Sequence, residues 1–206
     1  MLDQLVIPVG ERKARPMPEN PSARVIVQQW VSLDGFASGP NDETDIMATV
    51  DAEADARSQE YNQNFLSGAS AVLLGSRTYR KFVEYWPTAD EPIAARVNGM
   101  RKVVASATLS SAPWGDHEPA IVVDDAVTYA RQFRSEESGA LVVWGSLDLT
   151  RSLMDAAQVD ELDLFVAPVW LGSGTALLGT GQESRLRQVL SEDWGTITHL
   201  RYRLGG

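Results

Sequence analysis

From Arg24 onward, short apolar runs alternate with segments of helical period, and this restricts the chain to an α/β sheet built largely from crossover units. Five runs read as strands: 24–31 (RVIVQQWV), 70–74 (SAVLL), 102–105 (KVVA), 120–123 (AIVV) and 140–144 (ALVVW). Rich in Val, Ile and Leu, they suit strands covered on both faces, as in a parallel sheet under helices. Between them, Met47, Val50, Ala54, Tyr61 and Phe65 form one helical stripe, broken by Arg57 and Ser58. Tyr79, Phe82, Val83 and Trp86 form a second stripe. Ala126, Ala130 and Phe133 mark a third helix, and Leu149, Leu153 and Ala157 a fourth.

The last quarter changes period. Leu162, Leu164 and Val166 alternate with Glu161, Asp163 and Phe165, and Leu200, Tyr202 and Leu204 alternate with His199, Arg201 and Arg203. A period of two predicts half-exposed or edge strands over 161–167 and 197–204, antiparallel to a neighbour. A helix over Ser184–Leu190, with Leu186, Val189 and Leu190 facing in, would connect them. The expected architecture is therefore α/β, with a mixed, mostly parallel central sheet flanked by helices. Residues 1–23, with Pro16, Pro18 and Pro21, lack sustained periodicity and read as an extended or disordered arm. Residues 24–206 read as a single domain, in keeping with the usual size of one folding unit.

The chain has no Cys, which excludes disulfide frameworks, zinc ribbons and Cys nucleophiles and fits a cytoplasmic protein. Eighteen Lys and Arg against 28 Asp and Glu give a net charge of −10, so no basic face for nucleic acid is expected. No run approaches membrane-spanning length, and the basic residues Arg12, Lys13 and Arg15 follow the broken apolar start instead of preceding it, the reverse of a signal peptide. His117 and His199 have no partner at helical metal-ligand spacing, so no metal is expected.

In open α/β sheets, ligands bind at the carboxyl ends of the strands, where helix N-termini present free N–H groups. Ser32-Leu33-Asp34-Gly35 follow the first run, Gly75-Ser76-Arg77-Thr78 the second, Ser106-Ala107-Thr108 the third and Gly145-Ser146 the fifth. Any one of these is ordinary turn and cap chemistry. Several converging at one sheet edge favour a phosphate-bearing ligand. Neither G-x-G-x-x-G nor G-x-x-x-x-G-K-[ST] is present, so the Rossmann fingerprint and the P-loop do not apply.

The runs VSLDGFASGPN (31–41), LLGSRTYRKFVEYWP (73–87), KVVAS (102–106) and VVWGSLDLTRSLMDAAQVDELDLFVAPVWLGSGTALL (142–178) resemble the dihydrofolate reductase-like family. Within it they resemble stand-alone relatives of the C-terminal reductase domain of the riboflavin-biosynthesis deaminase-reductase. That resemblance implies NADPH laid across the strand ends. It places Gly75, Arg77 and Thr78 under the cofactor phosphates, Ser106 and Thr108 near the adenosine 2′-phosphate, and Gly145, Ser146 and Leu147 toward the pyrophosphate and nicotinamide. Ser32, Asp34, Gly35 and the stretch from Pro168 to Gly174 would border the nicotinamide and substrate; apart from the resemblance, Trp30 at its strand end is a further candidate for the substrate side, and Asp34 is the candidate catalytic carboxylate. A homodimer is expected as well, because the alternating strands over 161–167 and 197–204 offer an exposed sheet region to pair, and the resemblance points the same way.

Two positions depart from the family's pattern. Ser76 stands where a cation usually contacts the cofactor, which leaves NADH open beside NADPH, and Phe36 stands where a Lys commonly follows S-x-D-G, which argues against a ribosylated phosphate substrate. The expected function is reduction of a small polar heterocycle, pterin- or pyrimidine-like, by a nicotinamide cofactor. The alternatives are a non-catalytic nucleotide-binding or sensing domain on the same fold, and a structural homodimer with an empty crevice. Asp42, Glu43, Asp45, Asp124 and Asp125 read as helix-start carboxylates, Arg57 as a solvated or ion-paired position. Trp30, Trp86 and Trp144 stand at element ends, where an indole either lines a pocket or packs in the core.

Overall fold

The run at 24–31 becomes β1 (Ala23–Ser32), a strand flanked on both sides by parallel neighbours. The structure is a computed structural model and describes residues 23–179 and 184–205; of the arm expected over 1–23, residues 1–22 lie outside the described residues and Ala23 instead opens β1. After β1 come β2 (Phe36–Ser38), α1 (Thr44–Met47), α2 (Ala52–Ser67), β3 (Ala69–Gly75), α3 (Ser76–Tyr85), a short 3-10 turn (Trp86–Thr88) and α4 (Ala94–Gly99). The chain continues through β4 (Lys102–Ala105), β5 (Ala112–Trp114), β6 (His117–Val123), α5 (Ala126–Glu136), β7 (Gly139–Val143) and α6 (Leu147–Asp155). It closes with β8 (Glu161–Ala167), β9 (Thr175–Ala176), β10 (Leu186–Asp193) and β11 (Thr198–Leu204).

Among the described residues, nine strands form one mixed sheet in the order β10-β11-β8-β1-β7-β3-β4-β6-β5. The run β8-β1-β7-β3-β4-β6 is parallel throughout, and β11, β10 and β5 join antiparallel. Strand alternation divides the core. Val25, Val27 and Val31 pack with Ala130, Phe133 and Leu153 on the α5–α6 side. Ile26 packs with Leu66, Tyr79 and Val97 of α2, α3 and α4 on the other side. Gln28 and Trp30 share that second face.

Three expectations are corrected. The stripe from Met47 to Phe65 is two helices, because Asp51 caps a new start by accepting from the Ala54 amide at 2.8 Å. Residues 161–167 are not an edge: β8 lies between β1 and β11 and is largely buried. Its antiparallel neighbour β11 was read correctly. The helix expected over Ser184–Leu190 is the edge strand β10, with Leu186 and Val189 exposed. A register shift between Gln188 and Leu190 breaks the period of two there, and the resulting apolar spacing imitates a helix. No helix among the described residues is long and apolar enough to cross a membrane.

Candidate active site

Because β1, β7, β3 and β4 are parallel, the segments that follow them emerge at one edge of the sheet. The two central segments touch. The Gly75 amide donates to the Gly145 carbonyl at 2.9 Å. A Cβ on Gly75 would lie 2.6 Å from Ser146 Oγ, so only glycine permits this approach. Gly145 has φ +83°, and a Cβ there would meet Thr78 Oγ1 at 3.0 Å. Gly75, Thr78, Gly145 and Ser146 thus form one cluster, in which the Gly145–Ser146 peptide is cis.

Helices α3 and α6 both start at this cluster, capped by Gly75 and Ser146 without any side-chain hydrogen bond to the first turn. Their leading N–H groups and the Ser146 hydroxyl are left for an anion, and the helix dipoles favour negative charge there. Arg77 is exposed in the first turn of α3. These residues fit the pyrophosphate of a dinucleotide. One strand further along, Ser106 Oγ accepts from the Thr108 and Leu109 amides at 3.3 and 3.2 Å, which fixes the loop after β4. Leu147, which opens α6, packs its side chain partly buried against the α5–α6 core.

On the α2–α3 side the edge opens into a cavity of about 410 Å³. Trp144, the residue before Gly145, lines it together with Trp30 of β1, Phe82 and Tyr85 of α3, Trp86 and Phe165. Helix α3 therefore begins at the Gly75–Gly145 cluster and ends at an aromatic wall. Across the floor, Trp144 Nε1 donates to Gln28 Oε1 at 2.6 Å, and Gln28 Nε2 donates to Asn62 Oδ1 at 2.9 Å and Asp163 Oδ2 at 2.8 Å. Asp163 is fully buried and also meets His199 Nε2 at 2.7 Å and the Tyr61 hydroxyl at 3.1 Å. Burial, and then the charge of Asp163, raise the Tyr61 phenol above its ordinary pKa, so it acts as a donor. Every hydrogen-bonding atom of the Gln28 amide is engaged, and the Trp144 ring is held in place.

Asp34 lies at the same sheet edge but is not among the residues lining the cavity. Its carboxylate accepts from Ser32 Oγ at 2.7 Å, from the Leu171 amide at 3.2 Å and from the Gly172 amide at 2.7 Å. Desolvation works to raise its pKa, but these bonds from Ser32, Gly172 and Leu171 hold it below the ordinary value. Ser32 is buried and also accepts from the Phe36 amide, Gly35 turns the chain with φ +84°, and Pro168 is exposed beyond β8. Together they shape the rim. Of the helix-start carboxylates, Asp125 caps α5, and Asp42 and Glu43 pair with Lys81. Arg57 pairs with Glu53, as expected.

Sequence reasoning missed the polar side of the cavity: Gln28, Gln29, Asp55, Ser58, Gln59, Asn62 and Glu91. One signal was present. Ser58 and Asn62 stand four apart on α2 where an inward stripe would be apolar, and both are buried. The interruption at Arg57 and Ser58 marked this face without showing what it served.

Residues 23–200 match the RibD C-terminal domain family. A curated relative, the uncharacterized protein YyaP of Bacillus subtilis, is 24% identical over 190 residues, covering 89% of this chain and 96% of that protein. Among solved structures, a Shewanella sp. PV-4 protein whose name refers to riboflavin biosynthesis superposes with TM-score 0.67 at 18% identity, over 89% of this chain and 99% of the other. The Thermotoga maritima diaminohydroxyphosphoribosylaminopyrimidine deaminase/5-amino-6-(5-phosphoribosylamino)uracil reductase gives 0.61 at 14% identity, over 90% of this chain and 57% of that one. Dihydrofolate reductase from Enterococcus faecalis, solved with NADP(H), gives 0.53 at 11% identity, over 89% and 97%. At these identities the superpositions establish a dihydrofolate reductase-like fold.

Proposed function

The chain belongs to the RibD C-terminal domain family, and from that premise we propose that it is a NADPH-dependent reductase of a small, flat, polar heterocycle. The observation that carries this reading is the contact of the Gly75 and Gly145–Ser146 junctions directly beside an aromatic cavity. Phosphates on the α3 and α6 N-termini would leave the nicotinamide beside Trp144, at the mouth of that cavity. When bound, the reduced cofactor supplies hydride for a ring C=N or C=O bond. The chain positions the acceptor ring between Trp30, Trp86 and Trp144, excludes water with Phe82 and Phe165, and fixes Trp144 through Gln28.

Titration with NADPH and NADH tests the reading. Both should raise the melting temperature, because a ligand that prefers the native state stabilises it. Thr78→Ala should weaken the effect by about 1 kcal/mol, the value of one hydrogen bond. Absence of binding by either nucleotide at millimolar concentration overturns it. Cofactor oxidation with pterin and pyrimidine substrates separates a reductase from a nucleotide-sensing module, since both would bind nucleotide.

A further inference from the structure

The alternation over 161–167 sets Glu161, Asp163 and Phe165 on one face of β8, a face that an edge strand would turn to water. Here β8 is interior, and Asp163 and the nearby His199 of β11 are fully buried. Neither is among the residues lining the cavity. A buried carboxylate is costly unless its oxygens are supplied with donors. Asp163 is supplied by His199 Nε2 on Oδ1, by Gln28 Nε2 on Oδ2 and by the Tyr61 hydroxyl, which lies 3.1 Å from both oxygens. His199 is held from its other side by Glu192 of β10, whose Oε2 lies 3.2 Å from Nδ1.

Donors and acceptors along this chain of side chains run in one direction. A carboxylate only accepts, so Asp163, the cross-strand neighbour of Gln28, takes the NH₂ end of the Gln28 amide. That leaves Oε1 as the end facing Trp144, and the indole N–H donates to it at 2.6 Å. Turned over, the amide would set NH₂ against the indole N–H, donor against donor, and Trp144 would lose its partner. We propose that Asp163 and His199 are positioning residues of the reductase, acting through the Gln28 amide to set the plane of Trp144 at the mouth of the cavity. This rests on the reading of Trp144 as the indole beside the nicotinamide. It gives the polar face of β8 a use, and through Glu192 it makes the edge strand β10 part of the support of the site.

The test uses the full chain with isotope-labelled indoles and reads the exchange of each indole N–H with deuterated water in proton–nitrogen correlation spectra. Trp144→Phe assigns the Trp144 signal, and Trp114, whose Nε1 donates instead to Asn98 Oδ1 at 2.8 Å, is the internal standard. In the unsubstituted protein the Trp144 N–H, although its ring is only half-buried, should exchange far more slowly than that of Trp170, which is 74% exposed. His199→Phe should speed exchange at Trp144 by about three- to tenfold, the equivalent of one neutral hydrogen bond, and leave Trp114 unmoved. His199→Gln, whose amide still donates to Asp163, should restore the slow rate. Turnover in the cofactor-oxidation assay should fall with His199→Phe and recover with His199→Gln, while NADPH affinity holds, because the phosphates would lie on α3 and α6. Exchange at Trp144 as fast as at Trp170 in the unsubstituted protein overturns the proposal without needing any variant to fold. So does an unmoved Trp144 or undiminished turnover in a folded His199→Phe protein, or equal acceleration at Trp114 and Trp144. NADPH titration of the unsubstituted protein separates the two readings. Release of Trp144 by His199→Phe without nucleotide binding sinks the reductase alone, and nucleotide binding with an unmoved Trp144 sinks the positioning role alone.

Discussion

Asp34 joins the turn after β1 to the segment after β8 through three accepted hydrogen bonds, two of them from main-chain amides. Asparagine keeps the size but places an NH₂ group against one of those donors. Asp34→Asn is therefore expected to lower the melting temperature and leave NADPH affinity unchanged, as thermal shift and nucleotide titration would show. A fall in turnover of the folded fraction at an unchanged melting temperature would instead put the carboxylate on substrate. The Asp-Gly pair was legible as a turn and as a carboxylate at a strand end; its main-chain partners Leu171 and Gly172, 137 and 138 residues away in sequence, were not. The same holds for Gln28. A polar pair inside VIVQQW is visible, but the engagement of one Gln by Trp144, Asn62 and Asp163 depends on three elements meeting.

The helices illustrate what local signals settle. Asp125 caps α5 by accepting from the Thr128 amide at 2.7 Å, and its bonds to Thr128 hold its pKa below the ordinary value. Asp125→Ala should cost about 1 kcal/mol at neutral pH, a common value for a lost N-cap. The sign of the pH dependence follows from the depressed pKa. The stabilisation is fully present above the carboxyl's ordinary value and disappears as pH falls through the lower folded-state value. Denaturant melts of the two proteins should accordingly converge in acid; a constant difference down to the acid limit would mean that helix propensity, not the cap, is responsible. Such caps are local and were legible, as were the parallel strands β1, β3, β4, β6 and β7. The split between α1 and α2 was not, because Met47 and Val50 continue the apolar spacing across the break. Strand β10 was not legible either, because its register shift hides the alternation.

At the scale of the whole molecule, the two edges of the sheet differ. The β5 edge has three residues, includes Pro113 and keeps Ala112 and Trp114 buried, so it offers little to a partner. The β10 edge has eight residues and exposes Leu186 and Val189 at 38% and 40%. Antiparallel pairing of two β10 strands about Val189 and Leu190 would set Arg187 of each copy against Glu192 of the other, a complementary arrangement repeated by the two-fold axis. We therefore expect a homodimer through β10. The acidic charge was legible in composition, but the edge that would pair required the sheet order. A net charge of −10 on each copy opposes association, and salt screens that repulsion over a Debye length of about 8 Å at physiological strength. Dimerisation should accordingly tighten as salt rises from low to physiological levels, while the Arg187 and Glu192 pairs, at close range, weaken less than the long-range repulsion does. Sedimentation velocity across a salt series measures this, and Val189→Lys, which adds a charge at the centre of the pairing without touching the core, should yield a folded monomer. A monomer at high micromolar concentration in physiological salt would mean that the register shift and the charges of β10 protect the edge without a second copy.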